Sequence, residues 1–376
     1  MVGVAGCYWL GYGVTGNKQQ AFDILRNLGE GLVLRRDGRP KCNTLSDLWY
    51  GDLCRIAIEK ESAHPEKQAV LAKKAYTAYT RATAEPYVDS EGWTYVLPAR
   101  REQRRASEGK AKAEAQYRLA LLCMTHFAHK VSVEEVLAHL GEAVLAGHSK
   151  ALDDLTRLCM WEKHSIAARE AERSDKKVGK GRVSSPADET EFLWEFGSIY
   201  YGALCPLPEP FRVSPPVETK KHAADTLPDV LKIPVTPTLR AEALNRLGDR
   251  YFYGRDIREN HAAAISCYRR AASTVQPRDE AVSGGIVWAQ YSLGYCLLHG
   301  IGTHKDPREA VRFLTKAAKY HGEACLCLAE CHLEGIGVDR KDRLEALKYY
   351  RRAAKFGIEN ISDTIRRLEA EIKEEV

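Results

Sequence analysis

An internal repeat near the C-terminal end constrains this sequence of 376 residues more than any other feature. The segment from Ala289 reads AQYSLGYCLLHGIGTHKDPREAVRFLTKAAKYHG, and the segment from Ala324 reads ACLCLAECHLEGIGVDRKDRLEALKYYRRAAKFG. They align with an offset of 35 residues before the Gly-x-Gly turn and 36 after it. A period of this size is typical of stacked supersecondary units, each of which buries its apolar face against its neighbours.

Each repeat predicts a helix, a turn and a second helix. In the first helix Ala289, Leu293 and Leu297 are spaced to share one apolar face. The glycines that follow favour a tight turn, because glycine tolerates positive φ. Asp306, with Pro307 directly after it, is typical of a helix start. The apolar stripe of the second helix is formed by Ala310, Phe313, Leu314, Ala317 and Ala318.

This pattern resembles the Sel-one-like repeat family, a relative of the tetratricopeptide repeats. The resemblance rests on the Leu-Gly, Gly-x-Gly, Asp and Lys-Ala-Ala positions, which here are Leu293-Gly294, Gly300-Ile301-Gly302, Asp306 and Lys316-Ala317-Ala318. It implies an all-α fold, a right-handed solenoid of stacked antiparallel helix pairs with irregular insertions. It also implies an adaptor in multiprotein complexes rather than a catalyst.

Weaker copies upstream divide the rest of the chain. The copy ALNRLGDRYFYG aligns at an offset of 46, with the extra residues STVQPRDEAVSGGIVW placed between helices. The expected segments are N-terminal diverged repeats at 1–83, a basic insertion at 84–112, repeat units at 113–173, a basic loop at 174–190, a repeat helix at 191–204, a Pro-rich insertion at 205–237, C-terminal repeats at 238–357 and a charged capping helix at 358–376.

A glycine pattern near the N-terminus suggests a different function, the binding of a dinucleotide. Gly11, Gly13 and Gly16 match the dinucleotide-binding fingerprint, with Asp37 downstream to hold a ribose, and would indicate a nucleotide-dependent oxidoreductase. At an offset of 289, however, the first two glycines fall on the Gly-x-Gly turn of the repeat, and helical periodicity follows instead of β-α-β alternation. We therefore interpret them as a repeat turn. In this register Met1 lies within a truncated first helix, which we expect upstream residues or a partner's helix to complete.

Motifs that carry chemistry are absent from the sequence. It has no phosphate-binding Gly-x-x-x-x-Gly-Lys-Ser/Thr loop, no His-Glu-x-x-His and no Gly-x-Ser-x-Gly. Cys325, Cys327, Cys331 and His332 form a tight cluster, but only Cys327 and Cys331 share a helical face, so we interpret them as core residues. We expect no catalytic residue, cofactor, metal or small-molecule substrate.

Composition narrows the class of protein further. The formal charge of +5 is slight for this length and argues against a dedicated nucleic-acid-binding protein. No apolar run approaches the roughly 20 residues of a membrane span. The 11 cysteines show no disulfide-framework spacing. We therefore expect an intracellular reducing compartment, the cytoplasm or the mitochondrial matrix.

Two surfaces are candidates for binding partners. The first is a groove of aromatic and acidic residues, spaced by four so that each set lies on one face of its first helix. It comprises Asn245, Asp249, Tyr253, Tyr291, Tyr295, His299, Glu330 and Glu334. An ordinary solvated helix face is the alternative.

The second surface consists of two basic loops. Their residues are Arg100, Arg101, Arg104 and Arg105 in the first, and Lys176, Lys177, Lys180 and Arg182 in the second. A solvated loop is the simplest interpretation, and contact with phosphates or an acidic protein is the functional one. The favoured function is therefore a scaffold that binds other proteins. The alternative is a structural subunit of a large ribonucleoprotein, such as an organellar ribosome, that contacts RNA through these loops.

Overall fold

The computed structural model describes residues 44–60, 64–84, 98–126, 132–175, 233–255, 257–275 and 283–374, with isolated positions between 20 and 27. The described residues form helices and no strand. The helices are α1 Thr44–Lys60, α2 Pro65–Thr83, α3 Pro98–His126, α4 Val133–Leu145, α5 Ser149–Asp175, α6 Pro237–Tyr253, α7 His261–Ala272, α8 Gly284–His299, α9 Pro307–Ala317, α10 Gly322–Glu334, α11 Arg343–Lys355 and α12 Ser362–Glu374.

The helices belong to two compact units, the first containing α1 to α4 and the second α6 to α12. Within the first unit, α1 pairs with α2 and α3 with α4, and the first helices α1 and α3 touch. Within the second, the pairs are α6 with α7, α8 with α9 and α10 with α11. There α6 contacts α8, α8 contacts α10, and α12 packs on α11. The all-α fold of stacked helix pairs is thus confirmed.

The predicted start of the second helix in each pair is confirmed in atomic detail. At the head of α9, the Asp306 carboxylate accepts a hydrogen bond from the Glu309 backbone N–H at 2.9 Å, with Pro307 in the first turn. Asp342 accepts the equivalent bond from Glu345 N–H, also at 2.9 Å, at the head of α11. Each such cap contributes about 1 kcal/mol to helix stability.

A glycine ends the first helix of each pair in the second unit, and at Gly300 and Gly335 it is the first glycine of a Gly-x-Gly turn. Gly254, Gly300 and Gly335 follow α6, α8 and α10 with φ of +63°, +77° and +76°. This left-handed conformation turns the backbone sharply, and a side chain at such a position is strained. Each of these glycines donates its N–H to the carbonyl four residues earlier, so the helix end remains hydrogen-bonded.

The second glycine of the turn has a further role, because it touches the preceding helix pair. A Cβ at Gly302 would lie 2.6 Å from the carbonyl carbon of His261, the first residue of α7. A Cβ at Gly337 would overlap the carbonyl of Pro307, the first residue of α9. The turn therefore approaches the neighbouring pair to backbone contact, which only a residue without a side chain permits.

One contact between a tyrosine and a Gly-Asp pair recurs in both units. In the second unit, the Tyr268 ring crosses Gly248 and its hydroxyl donates to Asp249 Oδ1 at 2.8 Å. In the first unit, the Tyr79 ring crosses Gly51 and its hydroxyl donates to Asp52 Oδ1 at 2.7 Å. The diverged pair predicted within residues 1–83 thus shares a specific Gly-Asp/Tyr contact with the C-terminal repeats.

Residues 98–112, within the segment predicted as a basic insertion at 84–112, form the first half of α3 rather than a solvated loop. After Pro98 this stretch contains no proline and a single glycine, Gly109, and it is rich in Ala, Arg, Glu and Lys. These residue types have high helix propensity, so the charge that suggested a solvated loop is compatible with a continuous helix. The described basic positions Arg100, Arg101, Arg104 and Arg105 therefore lie on a helix.

The placement of STVQPRDEAVSGGIVW between helices is also wrong in part, because α8 already begins at Gly284. Ile286 and Val287 are buried. A Cβ at Gly285 would lie 2.6 Å from the Cα of Glu242 on α6. The glycine pair that suggested a loop instead allows α8 to pack closely against α6.

Several predicted segments lie outside the described residues. These are the N-terminal repeat turn with its truncated first helix, most of the basic loop at 174–190, the repeat helix at 191–204 and the Pro-rich insertion except its last residues, 233–237. The charged capping helix expected at 358–376 is described as α12, Ser362–Glu374.

A candidate partner-binding groove

A row of aromatic rings lies along one face of α8. Trp288, Tyr291, Tyr295 and His299 are spaced by three, four and four residues, which places them on the same side of a helix. The ring centroids of Trp288 and Tyr291 are 6.2 Å apart, those of Tyr291 and Tyr295 are 6.2 Å apart, and those of Tyr295 and His299 are 4.4 Å apart. The Trp288 side chain is 50% exposed. The row thus presents neighbouring aromatic rings, edge-on or tilted to one another, at the surface of the unit.

His321, at the head of α10, holds this row in place. Its Nδ1 accepts a hydrogen bond from the Ala324 backbone N–H at 3.3 Å, so the imidazole caps the helix. The ring stacks on Tyr291 at 4.4 Å and meets Trp288 edge-on at 4.2 Å. Burial lowers the pKa of His321, which favours the neutral ring that the cap requires. A residue of the next helix pair therefore fixes the aromatic face of α8.

The helix α6 supplies an acidic group beside the row. Asp249 accepts a hydrogen bond from the Tyr268 hydroxyl at 2.8 Å and another from Asn245 Nδ2 at 3.3 Å. Burial raises the pKa of Asp249, and the Tyr268 hydrogen bond and the nearby Arg255 and Arg246 partly offset this rise. Tyr253, one turn further along α6, is 59% exposed, and the Arg255 guanidinium lies 5.0 Å from its ring centroid.

A cavity of about 370 Å³ opens between α6, α7 and α8. Four tyrosines and one phenylalanine contribute to its wall. The lining residues are Phe252, Tyr253, Tyr268, Tyr291, Ser292, Tyr295, Cys296 and Ile301. Burial raises the pKa of the Cys296 thiol to about 12, so this sulfur is an apolar part of the wall rather than a nucleophile.

Two carboxylates on α10 extend the site beyond the aromatic row. Glu330 and Glu334 lie one helical turn apart. Burial and the like charge of Glu334 raise the pKa of Glu330, whereas His299 opposes the shift. The helix α8 contacts both α6 and α10. We call the whole surface, from Asp249 and Tyr253 through the α8 row to Glu330 and Glu334, the aromatic groove.

Of the predicted groove residues, Tyr253 on α6 and Tyr291 and Tyr295 on α8 line one cavity. Asn245 is only 7% exposed, so it supports Asp249 from inside rather than facing a partner. Sequence reasoning missed Trp288, because the first helix was expected to begin at Ala289. The three-residue spacing from Trp288 to Tyr291 was the available signal. Phe252, which also lines the cavity, carried no such signal.

The other predicted site residues are the two basic stretches and the cysteine cluster. Arg100, Arg101, Arg104 and Arg105 lie on α3, while Lys176, Lys177, Lys180 and Arg182 lie outside the described part of the chain. Cys327 and Cys331 are buried, and burial raises their thiol pKa values to about 12 and about 11. No group of three or more potential metal ligands is found in the described ranges. Over the same ranges, no helix combines the length and apolarity needed to cross a bilayer.

A charged cluster in the first unit is interior rather than accessible. Arg118, which is buried, donates from Nη2 to Glu114 Oε1 at 2.7 Å, and its Nε lies 3.6 Å from Asp52 Oδ1. His148 Nε2 contacts the other oxygen of Glu114 at 2.7 Å. Because Arg118 of α3 lies between Glu114 of α3 and Asp52 of α1, the cluster ties two helix pairs together.

Parts of the chain are similar to known Sel1 repeats. The Sel1 repeat model matches residues 1–26, 113–127, 241–273, 289–319 and 322–355. The first match contains Gly11, Gly13 and Gly16, and thus supports their interpretation as a repeat turn. No match is found among curated proteins.

Two solved structures are similar to the chain. One is a Sel1 repeat protein from Oxalobacter formigenes, with 32% identity over 37% of this chain and 49% of that one, and a TM-score of 0.27. The chain therefore matches about half the length of that protein. The other is a protective antigen of uropathogenic Escherichia coli with an SLR fold, with 17% identity over 100% of this chain and 79% of that one, and a TM-score of 0.32.

Proposed function

Because the chain contains Sel1 repeats, and Sel1 repeat proteins generally mediate protein–protein interactions, we propose that it is a non-catalytic scaffold that holds partner proteins in a complex. The single observation that carries this proposal is the aromatic groove. Aromatic residues are enriched at the centres of protein interfaces, where they bury a large area with little loss of side-chain entropy. In the groove they form a continuous row instead of being scattered singly.

Exposure and rigidity both support this use of the groove. Trp288 and Tyr253 expose half or more of their surface, although aromatic side chains of this size gain most from burial. Tyr291 is held by the ring stack with His321, so the row is ordered before a partner arrives. Pre-ordering reduces the entropy lost on binding.

Affinity purification tests the proposal. A tagged chain is expressed in its native host, and co-purifying proteins are identified by mass spectrometry for the wild type, for Tyr291→Ala/Tyr295→Ala, and for Leu344→Ala. Leu344 is a control, because it is an exposed apolar residue at 59% on the second helix α11. We expect specific partners to be lost from the double variant alone, with circular dichroism unchanged. Retention of every partner by the double variant contradicts the proposal.

The ribonucleoprotein alternative depends on the basic positions. Arg100, Arg101, Arg104 and Arg105 all lie within α3. RNase-sensitive co-sedimentation of the chain with a large particle would favour this function. A nicotinamide or flavin absorbance in the purified protein would instead favour the oxidoreductase.

A further inference from the structure

A row of positive charges lies along the outer face of α9. The row, which we call the basic row, consists of Arg308, Arg312, Lys316 and Lys319, all of which are exposed. We propose that the basic row binds an acidic helical segment of a partner protein, whose carboxylates are spaced one helical turn apart. This inference rests on the proposed scaffold function and adds a second binding surface, on the other helix of the α8–α9 pair.

The spacing of the four cations places them in a line. Arg308, Arg312 and Lys316 follow one another at intervals of four residues on α9, and Lys319 comes three residues later, in the turn after the helix. Residues three or four apart share a helix face, and four residues advance the helix by about 6 Å. The opposite face of α9 is buried and consists of Ala310, Leu314 and Ala317. The basic row is therefore turned away from the core.

The charges of the basic row are not neutralised by ion pairs within the described part of the chain. The two acidic residues nearest in sequence are already engaged. Asp306 accepts the capping bond from the Glu309 backbone N–H, and the Glu309 carboxylate accepts a hydrogen bond from Arg269 Nη1 at 2.9 Å. Other exposed arginines of the unit do form ion pairs, as Arg351 does with Glu369 at 2.7 Å. The basic row thus remains available to a negative charge from outside.

Part of the basic row disfavours the helix that carries it. Arg308 and Arg312, like Arg312 and Lys316, are cations four residues apart, and like charges at this spacing destabilise a helix. Arg308 also lies in the first turn of α9, where the helix dipole disfavours a positive charge. Lys316 and Lys319 are at the favoured end. A binding role accounts for the arginines at the N-terminal end, because a partner's carboxylates would relieve the repulsion between them.

The pattern favours a protein helix over RNA as the partner. An α-helix with acidic residues at i, i+4 and i+8 repeats its carboxylates at the same interval of about 6 Å. Single-stranded nucleic acid gains much of its affinity from bases stacked on aromatic rings. The basic row contains no such ring, and Tyr320 supplies one only beyond its end. Arg352 of α11, whose Nη2 donates to the Lys319 carbonyl at 3.1 Å, extends the positive charge at that end.

A pair of matched peptides tests the inference. The probe is a fluorescein-labelled, alanine-based helical peptide with glutamates at i, i+4 and i+8, and its control carries glutamine at the same three positions. Fluorescence anisotropy is measured against the full chain at low ionic strength, where exposed charges are least screened. We expect the glutamate peptide to bind about tenfold more tightly, which corresponds to about 1.4 kcal/mol, because three exposed ion pairs, each weak alone, act together. Equal affinity of the two peptides, or binding of neither, overturns the inference.

Variants locate the binding site. Arg308→Gln/Arg312→Gln removes two charges of the basic row, whereas Arg366→Gln/Arg367→Gln removes the same charge from exposed positions on α12. The first variant should reduce the preference for glutamate over glutamine by at least about threefold, and the second should leave it unchanged, with the circular dichroism of both unaltered. An equal reduction in the two variants shows a response to net charge alone and overturns the assignment to the basic row.

A competition separates the two classes of partner. Unlabelled oligouridine that displaces the glutamate peptide at lower concentration than the unlabelled peptide itself would assign the basic row to nucleic acid and overturn the acidic-protein inference. The scaffold proposal is tested independently. If partners depend on Tyr291 and Tyr295 in cells while the peptides show no preference, the scaffold proposal stands and the inference about the basic row fails.

Discussion

The two glycines of a Gly-x-Gly turn should respond differently to alanine, because only the second touches the preceding helix pair. Both Gly300 and Gly302 have positive φ, so either replacement costs about 1–2 kcal/mol of backbone strain. At Gly300 the nearest atom to the new Cβ is Lys305 Cβ at 3.4 Å, which is close to an ordinary contact. At Gly302 the new Cβ lies 2.6 Å from the backbone of His261, which cannot move aside as a flexible side chain would.

Overpacking of this kind adds about 1–3 kcal/mol. The free energy of unfolding should therefore fall by about 1–2 kcal/mol for Gly300→Ala and by about 2–5 kcal/mol for Gly302→Ala. Urea denaturation followed by circular dichroism measures both losses on the full chain. Gly109→Ala is the control, since its Cβ meets nothing within 4 Å and helix propensity predicts a gain of about 0.5–1 kcal/mol. Equal losses for the two turn variants would refute the stacking role of the second glycine.

Three further predictions follow from the contacts described above. Tyr79→Phe and Tyr268→Phe should each lower the free energy of unfolding by about 1–3 kcal/mol, because each leaves an aspartate without its hydrogen bond. The loss should be larger for Tyr79→Phe, because its partner Asp52 is more deeply buried than Asp249. Urea denaturation measures both losses, and an unchanged stability of Tyr79→Phe would contradict a stabilising role of this contact. Burial lowers the pKa of His321, so the unfolded chain binds more protons than the folded one, and the stability contributed by neutral His321 is lost as the pH falls below about 6.5. The wild type should therefore lose stability relative to the cap-preserving variant His321→Asn over this range, whereas parallel pH profiles argue against a buried neutral imidazole. If the chain binds RNA through α3, replacing Arg100, Arg101, Arg104 and Arg105 by Glu should flatten the salt dependence of binding; an unchanged slope excludes that contact.

The sequence was sufficient where a local rule decides the structure. Asp306 and Pro307 predicted the head of α9, and Gly300 predicted the end of α8, because capping and positive φ depend on residues close in the chain. The apolar stripe of Ala310 and Leu314 followed from helical spacing.

Local rules failed where packing between helices decides. Gly284 and Gly285 suggested a loop, yet α8 extends through them because Gly285 meets the backbone of α6. The basic stretch before Lys112 is a different case, because its charge suggested a solvated loop while its helix propensity, itself a local rule, favours the helix that forms.

For the candidate groove, the sequence predicted which residues share a face within one helix, but not which residues of different helices come into contact. Spacing by four placed Tyr291 and Tyr295 on one face, but nothing local to α8 indicates that His321, in the next helix pair, stacks on that face. The burial of Asn245 and the cavity between α6, α7 and α8 likewise arise from tertiary packing, which a single sequence does not encode in any short segment.

Site-specific photo-crosslinking tests most directly whether the aromatic groove is where partners bind. A photoreactive phenylalanine analogue is placed at Tyr295 in the groove or at Leu344 on α11, and adducts are identified after irradiation in the native host. The account predicts a partner adduct from position 295 and none from position 344. Adducts from position 344 alone, or equal adducts from both positions, would contradict it.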